Sequence, residues 1–325
     1  MNDPVLPVGG FFGLERPRNV FDSPILSGRA FRSGRSCLRA ILEQLRPKRL
    51  LAPFYVCDAA LAPAEALGIP LELYELDREL RPRLPPIQES DAVLVVDYFG
   101  LLGRAVAALQ VPASRLIVDQ TQALFGDAPA QAWRFNSFRK WFGVPDGGCA
   151  RGPVDLLNLE PARLAGIPEY LIEKTYGDPR SAYQAFSASE AALDCELKPI
   201  SAVSLTLVGL MDVTHIRRQR RENYAHLAER LQSSNLLDLP MQSEHVPFCY
   251  PFLPRELIST EELARASIFV PRFWRDCEER LAVGFEWELE LCKRLLPLPI
   301  DHRYGPDDMD RVATQVIRTL NAQDR

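Results

Sequence analysis

The chain has 325 residues, of which 47% are hydrophobic and 25% are charged, and its formal net charge is −5 at pH 7. This length allows one large or two modest domains with a substantial core, and the composition is that of an ordinary globular protein. The acidic balance gives no electrostatic case for nucleic-acid binding, and no apolar run approaches the ~20 residues of a membrane-spanning helix.

The first 27 residues are rich in Pro, Gly and Phe and show no periodicity, which predicts an irregular arm. They contain no basic stretch followed by an apolar one, so we expect no signal peptide. The seven cysteines form no CxxC pair and have no histidine partners at metal spacing. This pattern predicts reduced thiols, no metal site and a cytoplasmic protein.

An amphipathic helix is predicted within residues 31–45, where Leu38, Ile41 and Leu42 lie on one face. The turn Ser33-Gly34-Arg35-Ser36 begins this helix, and either serine can cap it. A glycine-bearing turn at a helix N-terminus exposes N–H groups at the positive end of the helix dipole, which is typical of an anion site. Plain helix capping is the alternative.

Short apolar runs then predict the strands of a mostly parallel sheet. They cover residues 50–52, 69–74, 92–96, 116–118 and about 133–138. Several of them are followed closely by polar or reactive residues, and loops at the carboxyl ends of such strands gather the chemistry of an α/β protein. An acid at the end of one strand, Asp119, and an amine near the end of another, Lys140, could therefore face one ligand.

Lys140 is one of five lysines in a chain whose other basic residues are almost all arginine. It stands between Phe138 and Trp141-Phe142, an apolar setting that is expected to lower the pKa of the amine by desolvation. A lowered pKa suits a lysine that attacks a carbonyl group near neutral pH. A lysine that only reaches from a strand end into solvent is the alternative.

The residues Asp119, Gln122, Lys140 and Gly147-Gly148 together resemble the DegT-type family of pyridoxal-phosphate (PLP) sugar aminotransferases. That family carries a strand ending in Asp, a Gln three residues later, and a Schiff-base lysine in a loop closed by a Gly-Gly pair. The resemblance implies that Lys140 and Asp119 are catalytic, that Asp119 pairs with the pyridinium nitrogen, and that Gln122 lies by the ring and its phenolic oxygen. A carboxylate at that nitrogen keeps the ring protonated, so that it can act as an electron sink.

The resemblance also implies a binding site for the PLP phosphate. The turn Ser33-Gly34-Arg35-Ser36 is similar to the phosphate-binding turn of the family. Ser137 or Asn136 would assist it, with Ser137 preferred. The family's serine lies further before the lysine, where this chain has Phe135.

The chain departs from the family at two places. The family places an aromatic residue on the pyridine ring where this chain has Cys57, so either the thiol lies against the ring or Tyr55 or Phe54 stacks on it instead. Residues 198–200 replace a segment whose Asn reaches the phosphate of the neighbouring subunit. Tyr98 and His302 occupy positions that resemble substrate contacts.

A lone histidine at a strand end usually has a structural role, and this is the alternative for His302. The basic run of residues 215–221 is interpreted as a solvated helix face, because no aromatic residues interleave with it.

By this resemblance the fold is α/β of the fold-type I PLP-transferase kind, with a mostly parallel central sheet, flanking helices and a smaller C-terminal α+β domain. We expect an arm at 1–27, a large PLP-binding domain at 28–200, a linking helix at 201–235 and a small domain at 236–325. Strands are expected in the small domain at 246–252, 268–270 and about 296–300.

The implied function is an aminotransferase that moves an amino group, by resemblance from glutamate, onto a keto sugar attached to a nucleotide, in polysaccharide, antibiotic or glycoconjugate biosynthesis. Another PLP reaction, such as a dehydration, and a non-catalytic or regulatory role on the same fold are the alternatives. The missing ring-stacking aromatic favours the last of these. The joint presence of Asp119, Gln122 and Lys140 argues against it.

A homodimer with the active site at its interface is expected. The N-terminal arm carries Phe11, Phe12 and Phe21, and large apolar patches seldom stay bare on a soluble monomer. Closed two-fold dimers are the commonest way to cover them. No nucleic-acid or membrane partner is expected.

Overall fold

A computed structural model of the chain describes residues 24–163, 167–176, 179–281 and 283–323. Of the predicted arm, only its last four residues lie in this range, and Pro24–Leu26 form a short 3-10 turn. The phenylalanines on which the prediction of a covered arm rests lie outside the described residues.

The described residues contain ten strands. They are β1 (Arg29–Phe31), β2 (Arg49–Pro53), β3 (Leu71–Leu76), β4 (Pro82–Arg83), β5 (Asp91–Val96), β6 (Leu116–Asp119), β7 (Trp133–Phe135), β8 (Gly148–Arg151), β9 (Tyr250–Phe252) and β10 (Leu296–Leu298). The first eight form one sheet in the order β1-β8-β7-β6-β5-β2-β3-β4, and the last two form an antiparallel pair.

The centre of the large sheet is parallel. Strands β3, β2, β5, β6 and β7 pair in parallel, whereas β8 is antiparallel to β7, β1 to β8, and β4 to β3. Every residue of β5 and β6 is buried, as expected of parallel strands that are covered on both faces. The segments that follow β1, β2, β5, β6 and β7 therefore meet at one edge of the sheet, which is the predicted place for the site.

Helices cover both faces of the sheet and build the C-terminal part. Those of the described residues are α1 (Gly34–Leu45), α2 (Asp58–Ala66), α3 (Gly103–Ala107), α4 (Glu169–Tyr176), α5 (Pro179–Ala191), α6 (Ala202–Gly209), α7 (Val213–Leu231), α8 (Thr260–Arg265), α9 (Glu286–Arg294) and α10 (Pro306–Gln323). Helix α1 buries Leu38, Ile41 and Leu42 and packs on β1, β7 and β8, as its pattern predicts.

Four predicted elements differ in the structure. The strand predicted at 246–252 covers only Tyr250–Phe252, and the other three are as follows. The strand predicted to reach residue 138 ends at Phe135, because the Phe138 N–H donates to the Gly147 carbonyl (2.9 Å) and turns the chain away from the sheet. The predicted single linking helix is broken into α6 and α7, since the Asp212 side chain accepts the His215 N–H (2.9 Å) and caps a new helix. Residues 268–270 form no strand.

The C-terminal part holds the small sheet of β9 and β10 with α8, α9 and α10, in the range predicted for a small domain. One buried apolar cluster extends from Leu38 in the large sheet region to Leu296 and Val316 in the C-terminal part. The core thus does not divide at residue 236, and the four-part division of the chain stays a prediction. None of the described helices is both long enough and apolar enough to span a membrane.

Candidate active site

Three predicted site residues meet at the carboxyl edge of the parallel strands. Asp119 ends β6, Lys140 follows β7, and Cys57 follows β2. Burial raises the pKa of the Cys57 thiol, the charge of Lys140 acts to lower it, and the charge of Asp119 raises it further. Burial also raises the pKa of Asp119, and the charge of Lys140 acts to lower it. The structure therefore brings an acid, an amine and a thiol into one electrostatic group.

Asp119 is a buried carboxyl group whose position is fixed by its own loop. Only 4% of the residue is exposed, and Oδ1 accepts the Thr121 N–H (2.8 Å). Burial raises the pKa of Asp119 from 3.8 to about 6, against the hydrogen bonds of Thr121 and the charge of Lys140, which lower it. A cation placed against this carboxyl would favour its ionised form.

Lys140 is exposed, so the predicted apolar enclosure of the amine is wrong. Its neighbours Phe138, Trp141 and Phe142 are buried, but they pack in a separate apolar cluster with Ile200 and leave the lysine outside it. The 3-10 turn Phe138–Lys140 presents the lysine to solvent. The amine is accessible to a carbonyl ligand.

The Gly147-Gly148 pair closes the Lys140 loop for a steric reason. Gly147 has φ +119°, and a Cβ there would stand 2.6 Å from Ile200 Cδ1 and 2.9 Å from Phe138 Cδ2. A Cβ on Gly148 would overlap the Asn136 carbonyl oxygen. Both positions thus require glycine, because β8 begins in direct contact with the turn that carries the lysine.

Thr121 joins the acid and amine loops, and sequence reasoning missed it. Its N–H donates to Asp119, and its carbonyl accepts Trp141 Nε1–H (3.0 Å), directly after Lys140 in the chain. An Asp whose side chain bonds the N–H two residues later is an Asx turn, and the Asp-x-Thr spacing is the signal that could have indicated it. This link fixes the lysine turn relative to the carboxyl group.

The predicted phosphate turn lies against the same loops. A Cβ added to Gly34 would stand 3.6 Å from the Asn136 carbonyl oxygen and from Ser137 Cβ, and 3.7 Å from Thr121 Cγ2. Because residue 34 is glycine, this space is open. The N–H groups of Gly34 and Arg35 have no acceptor among the described residues, so they remain for an anion at the start of α1.

The two serines of that turn are used by the protein itself. Ser33 Oγ accepts the Ser36 N–H (3.2 Å), and the Ser36 hydroxyl donates to the Glu196 carbonyl (2.6 Å). The capping prediction is therefore confirmed for Ser33, and the anion site at the backbone N–H groups of this turn stays a prediction. Arg35 is half-buried and has no ion pair among the described residues.

The two residues predicted to assist the turn in binding phosphate, Ser137 and Asn136, lie in different surroundings. Ser137 lies against Gly34, whereas Asn136 Oδ1 accepts the Cys149 N–H (3.0 Å) and its side chain lines a cavity on the opposite face of the sheet. The structure gives no support to Asn136 as a cofactor contact, because its side-chain oxygen is already used by the Cys149 N–H. The preference for Ser137 is consistent with the geometry.

Tyr55 and Phe54 do not reach the group formed by Asp119, Lys140 and Cys57. The Tyr55 ring is wholly buried and packs edge-on against Trp274, with ring centroids 4.4 Å apart. Phe54 is also wholly buried, and its ring stacks on Phe285 at 4.2 Å. The structure gives no support to either of them as a substitute ring-stacking residue, because aromatic residues of the C-terminal part enclose these two side chains. Of the three candidates for contact with the ring, Cys57 is the one that lies near Asp119 and Lys140.

The two predicted substrate contacts also lie apart from this group. Tyr98 is 1% exposed, and its hydroxyl donates to the Tyr55 carbonyl (2.7 Å), so it belongs to the core. His302 is half-buried, and burial and the charge of Arg220 lower its pKa. The other charges that act on it are Asp301, Arg303 and His215, none of which belongs to the site. The structure gives no support to either role.

Two further polar residues lie at this edge of the sheet. Asp97 directly follows β5, and Gln122, which follows β6, contacts the turn after β5. Gln122 Oε1 accepts the Phe99 N–H (3.0 Å), where Phe99 has φ 59°, so the amide holds the strained turn after β5. No described residue accepts from Gln122 Nε2, and its contact with a cofactor stays a prediction. Burial raises the pKa of Asp97 to about 7, and the charge of Asp119 adds to this effect.

This mostly parallel sheet with its covering helices is an α/β fold that the chain shares with solved aminotransferases. Among solved structures, the sugar aminotransferase CalS13 from Micromonospora echinospora is 16% identical, with 89% of this chain and 86% of that chain covered and a TM-score of 0.61. A DegT DnrJ EryC1 StrS aminotransferase from Brucella abortus is 13% identical, with 89% and 84% covered and a TM-score of 0.57.

Spr1654, a candidate sugar aminotransferase from Streptococcus pneumoniae in its PLP form, is 14% identical, with 90% of this chain and 87% of that chain covered and a TM-score of 0.61. No protein-family model matches the sequence, and no curated protein matches it either. At these identities the likeness establishes the fold, and the predicted fold class is confirmed.

Proposed function

We propose that this protein is a PLP-dependent aminotransferase that acts on a keto sugar. The observation that carries the proposal is the meeting of Asp119, Lys140 and Cys57 beside the open Gly34 turn. This meeting occurs at the carboxyl edge of a sheet whose fold is that of sugar aminotransferases.

The residues at this edge fit PLP. The free N–H groups of Gly34 and Arg35, with Ser137 beside them, suit its phosphate, and the exposed amine of Lys140 suits its aldehyde. Asp119 suits its ring nitrogen. When bound, PLP supplies an electron sink for the carbanion chemistry of amino-group transfer.

The electrostatics of Asp119 support this assignment. Burial raises the pKa of the carboxyl to about 6, so neutral pH lies only a little above the pKa at which the carboxyl ionises. A protonated ring nitrogen beside it would lower that pKa again, and the carboxylate would in return hold the proton on the nitrogen. The buried acid and a cationic ring would thus stabilise each other.

Lys140 would serve both attachment and proton transfer. Its amine is exposed and close enough to Asp119 for their charges to interact. Once freed, an amine held by a short loop can take a proton from a substrate carbon and return it to a neighbouring atom. The loop is held in place by the Phe138–Gly147 and Trp141–Thr121 hydrogen bonds.

The finer parts of the proposal concern donor, acceptor and location. We propose glutamate as the amino donor and a nucleotide-linked keto sugar as the acceptor, by analogy with the sugar aminotransferases that share the fold. All seven cysteines are free thiols, which suits a protein of the reducing cytoplasm.

We also propose a homodimer. Helices α4 and α5 carry large apolar side chains that face solvent in the single chain, among them Tyr176 (85% exposed), Tyr183 (70%) and Ile172 (46%). Apolar residues clustered in this way are a common sign of a subunit contact. Light scattering on the PLP-loaded protein tests this. A dimeric mass is expected, and a monomeric mass at micromolar concentration with PLP retained would contradict it.

The function is tested by incubating the PLP-loaded protein with glutamate and a panel of nucleotide-linked keto sugars. We expect 2-oxoglutarate and an amino sugar to form in equal amounts. Loss of water from the sugar without amino transfer would indicate a dehydratase instead. Bound PLP with neither reaction across the panel would indicate a non-catalytic role.

A further inference from the structure

A second polar site lies on the face of the sheet opposite to Asp119. Asp119 pairs with Phe135 in the β6–β7 register, so the residues that alternate with them, Gln120 and Arg134, leave the sheet on the other face. There they line a cavity of about 240 Å³. The cavity is bordered by the loop after β6, by helix α7 and by residues just before β1, and it opens to solvent where Arg151 and Arg217 are exposed.

Three arginines from three different elements line this cavity. Arg134 lies on β7, Arg151 on β8 and Arg217 on α7. Arg134 and Arg151 are directly opposite each other in the antiparallel register, where side chains start about 5 Å apart. Two like charges at this spacing repel each other, and because Arg134 is half-buried and Arg151 exposed, water weakens this repulsion.

The described part of the chain does not neutralise these arginines. Arg151 donates to Ser27 Oγ (3.3 Å), and Arg217 lies over the Phe125 ring with 5.7 Å to its centroid. None of the three forms an ion pair with a described residue, although acids pair with many other arginines of this chain. Among the described residues that line the cavity, Asp127 is the one acid, so these three arginines and this acid give the described lining a formal charge of +2.

We propose that this cavity binds a phosphate or diphosphate group, at a site separate from the Asp119–Lys140 edge. The planar guanidinium group of arginine matches the oxygens of a phosphate, and a bound dianion would neutralise the repelling pair. The volume is below the ~300–1,000 Å³ of sites for drug-sized ligands, which fits a small anionic group. The amides of Gln120 and Asn136 lie in the same lining and add polar character to it.

The test is calorimetric titration of the PLP-loaded protein with inorganic phosphate, inorganic pyrophosphate and glycerol phosphate at constant ionic strength. PLP is kept saturating so that its own phosphate occupies the turn at α1. We expect saturable binding that weakens about tenfold or more in Arg134→Gln and in Arg217→Gln, because each removes charge-assisted hydrogen bonds. Arg218→Gln is the matched control, since Arg218 is the next residue on α7 and does not line the cavity.

Thermal unfolding without added anion gives an independent reading. Arg134→Gln removes one charge of the opposed pair, so its Tm should rise slightly, and its Tm should respond less to pyrophosphate than that of the wild type. A preference for glycerol phosphate over inorganic phosphate would identify an ester as the ligand, and the reverse would identify the free ion. Absence of saturable binding, or binding that is unchanged in both Arg134→Gln and Arg217→Gln, would overturn the proposal.

Discussion

The two faces of strands β6 and β7 carry charge in different ways. On one face the charges of Asp119 and Lys140 have opposite sign and act on each other, so the charge of this site is neutralised by the protein's own residues. On the other face Arg134, Arg151 and Arg217 line one cavity. Among the described lining residues, Asp127 is the one acid beside them. A balanced acid and amine suit proton movement, whereas an unbalanced set of cations suits binding of an anion.

Replacing the acid of the balanced face should have the largest effect. Asp119→Asn should still bind PLP, because the phosphate turn and Lys140 are unchanged, but a neutral amide does not hold the proton on the ring nitrogen. We expect amino transfer to slow by on the order of 10²–10³-fold. The measurement is the rate of 2-oxoglutarate release at saturating PLP.

Arg134→Gln serves as the control for that experiment, since it changes charge on the opposite face of the same strands. Its rate should stay near that of the wild type. Equal rates for Asp119→Asn and the wild-type protein would show that the acid has no part in the chemistry.

A second prediction concerns Asp97, whose protonation should make the stability of the protein depend on pH. Burial raises the pKa of Asp97 from 3.8 to about 7, so between about pH 4 and pH 7 the folded protein holds a proton that the unfolded chain has released. The stabilisation from this group is complete below about pH 4 and is lost as pH rises through about 7. The non-titrating variant Asp97→Asn keeps an acceptor for the Leu102 N–H.

The free energy of unfolding of the wild type, minus that of Asp97→Asn, should therefore fall as pH rises in this window, by up to about 1.4 kcal/mol per pH unit. Urea unfolding of the PLP-free protein at several pH values measures it. A difference that is flat or rises with pH would show that Asp97 is not protonated in the folded protein.

The open phosphate turn predicts a smaller effect. Gly34→Ala would fill space bordered by Asn136, Ser137 and Thr121 at ordinary contact distance, so the fold should tolerate it while PLP binds about tenfold more weakly. Fluorescence titration with PLP measures the affinity. Gly305→Ala is the control, because no atom lies within 4 Å of a Cβ added there. Unchanged affinity in Gly34→Ala would place the phosphate elsewhere.

The smallest change is expected from Tyr98, which the family resemblance places beside the substrate and the structure places in the core. Tyr98→Phe leaves the Tyr55 carbonyl without its donor, and we expect a loss of about 1 kcal/mol in the free energy of unfolding. The KM for the sugar should not change. A raised KM with unchanged stability would restore the substrate role.

Residues that are close in the chain were predictable, and those fixed by distant partners were not. Asp119, Lys140 and the Gly147-Gly148 pair fall within one stretch of β6 to β8, where spacing along the chain carries the information. The burial of Tyr55 depends on Trp274, and that of Phe54 on Phe285, which are far away in sequence.

The exposure of Lys140 and the arginine cavity were missed for related reasons. Apolar neighbours in sequence do not reveal on which side they pack, and here Phe138 and Trp141 turn away from the lysine. The pairing of Arg134 with Arg151 requires the register of β7 and β8, which the sequence pattern did not provide. Strand register is set by the turn that joins the strands and by contacts of the whole sheet.

The central claim is that Lys140 attaches PLP at the edge shared with Asp119. Borohydride reduction of the PLP-loaded protein, followed by proteolysis and peptide mass mapping, tests it most directly. We expect one modified lysine, Lys140, and loss of the label and of the visible absorbance in Lys140→Ala. A label on Lys198 or another lysine, or no label on protein soaked in PLP, would contradict the account.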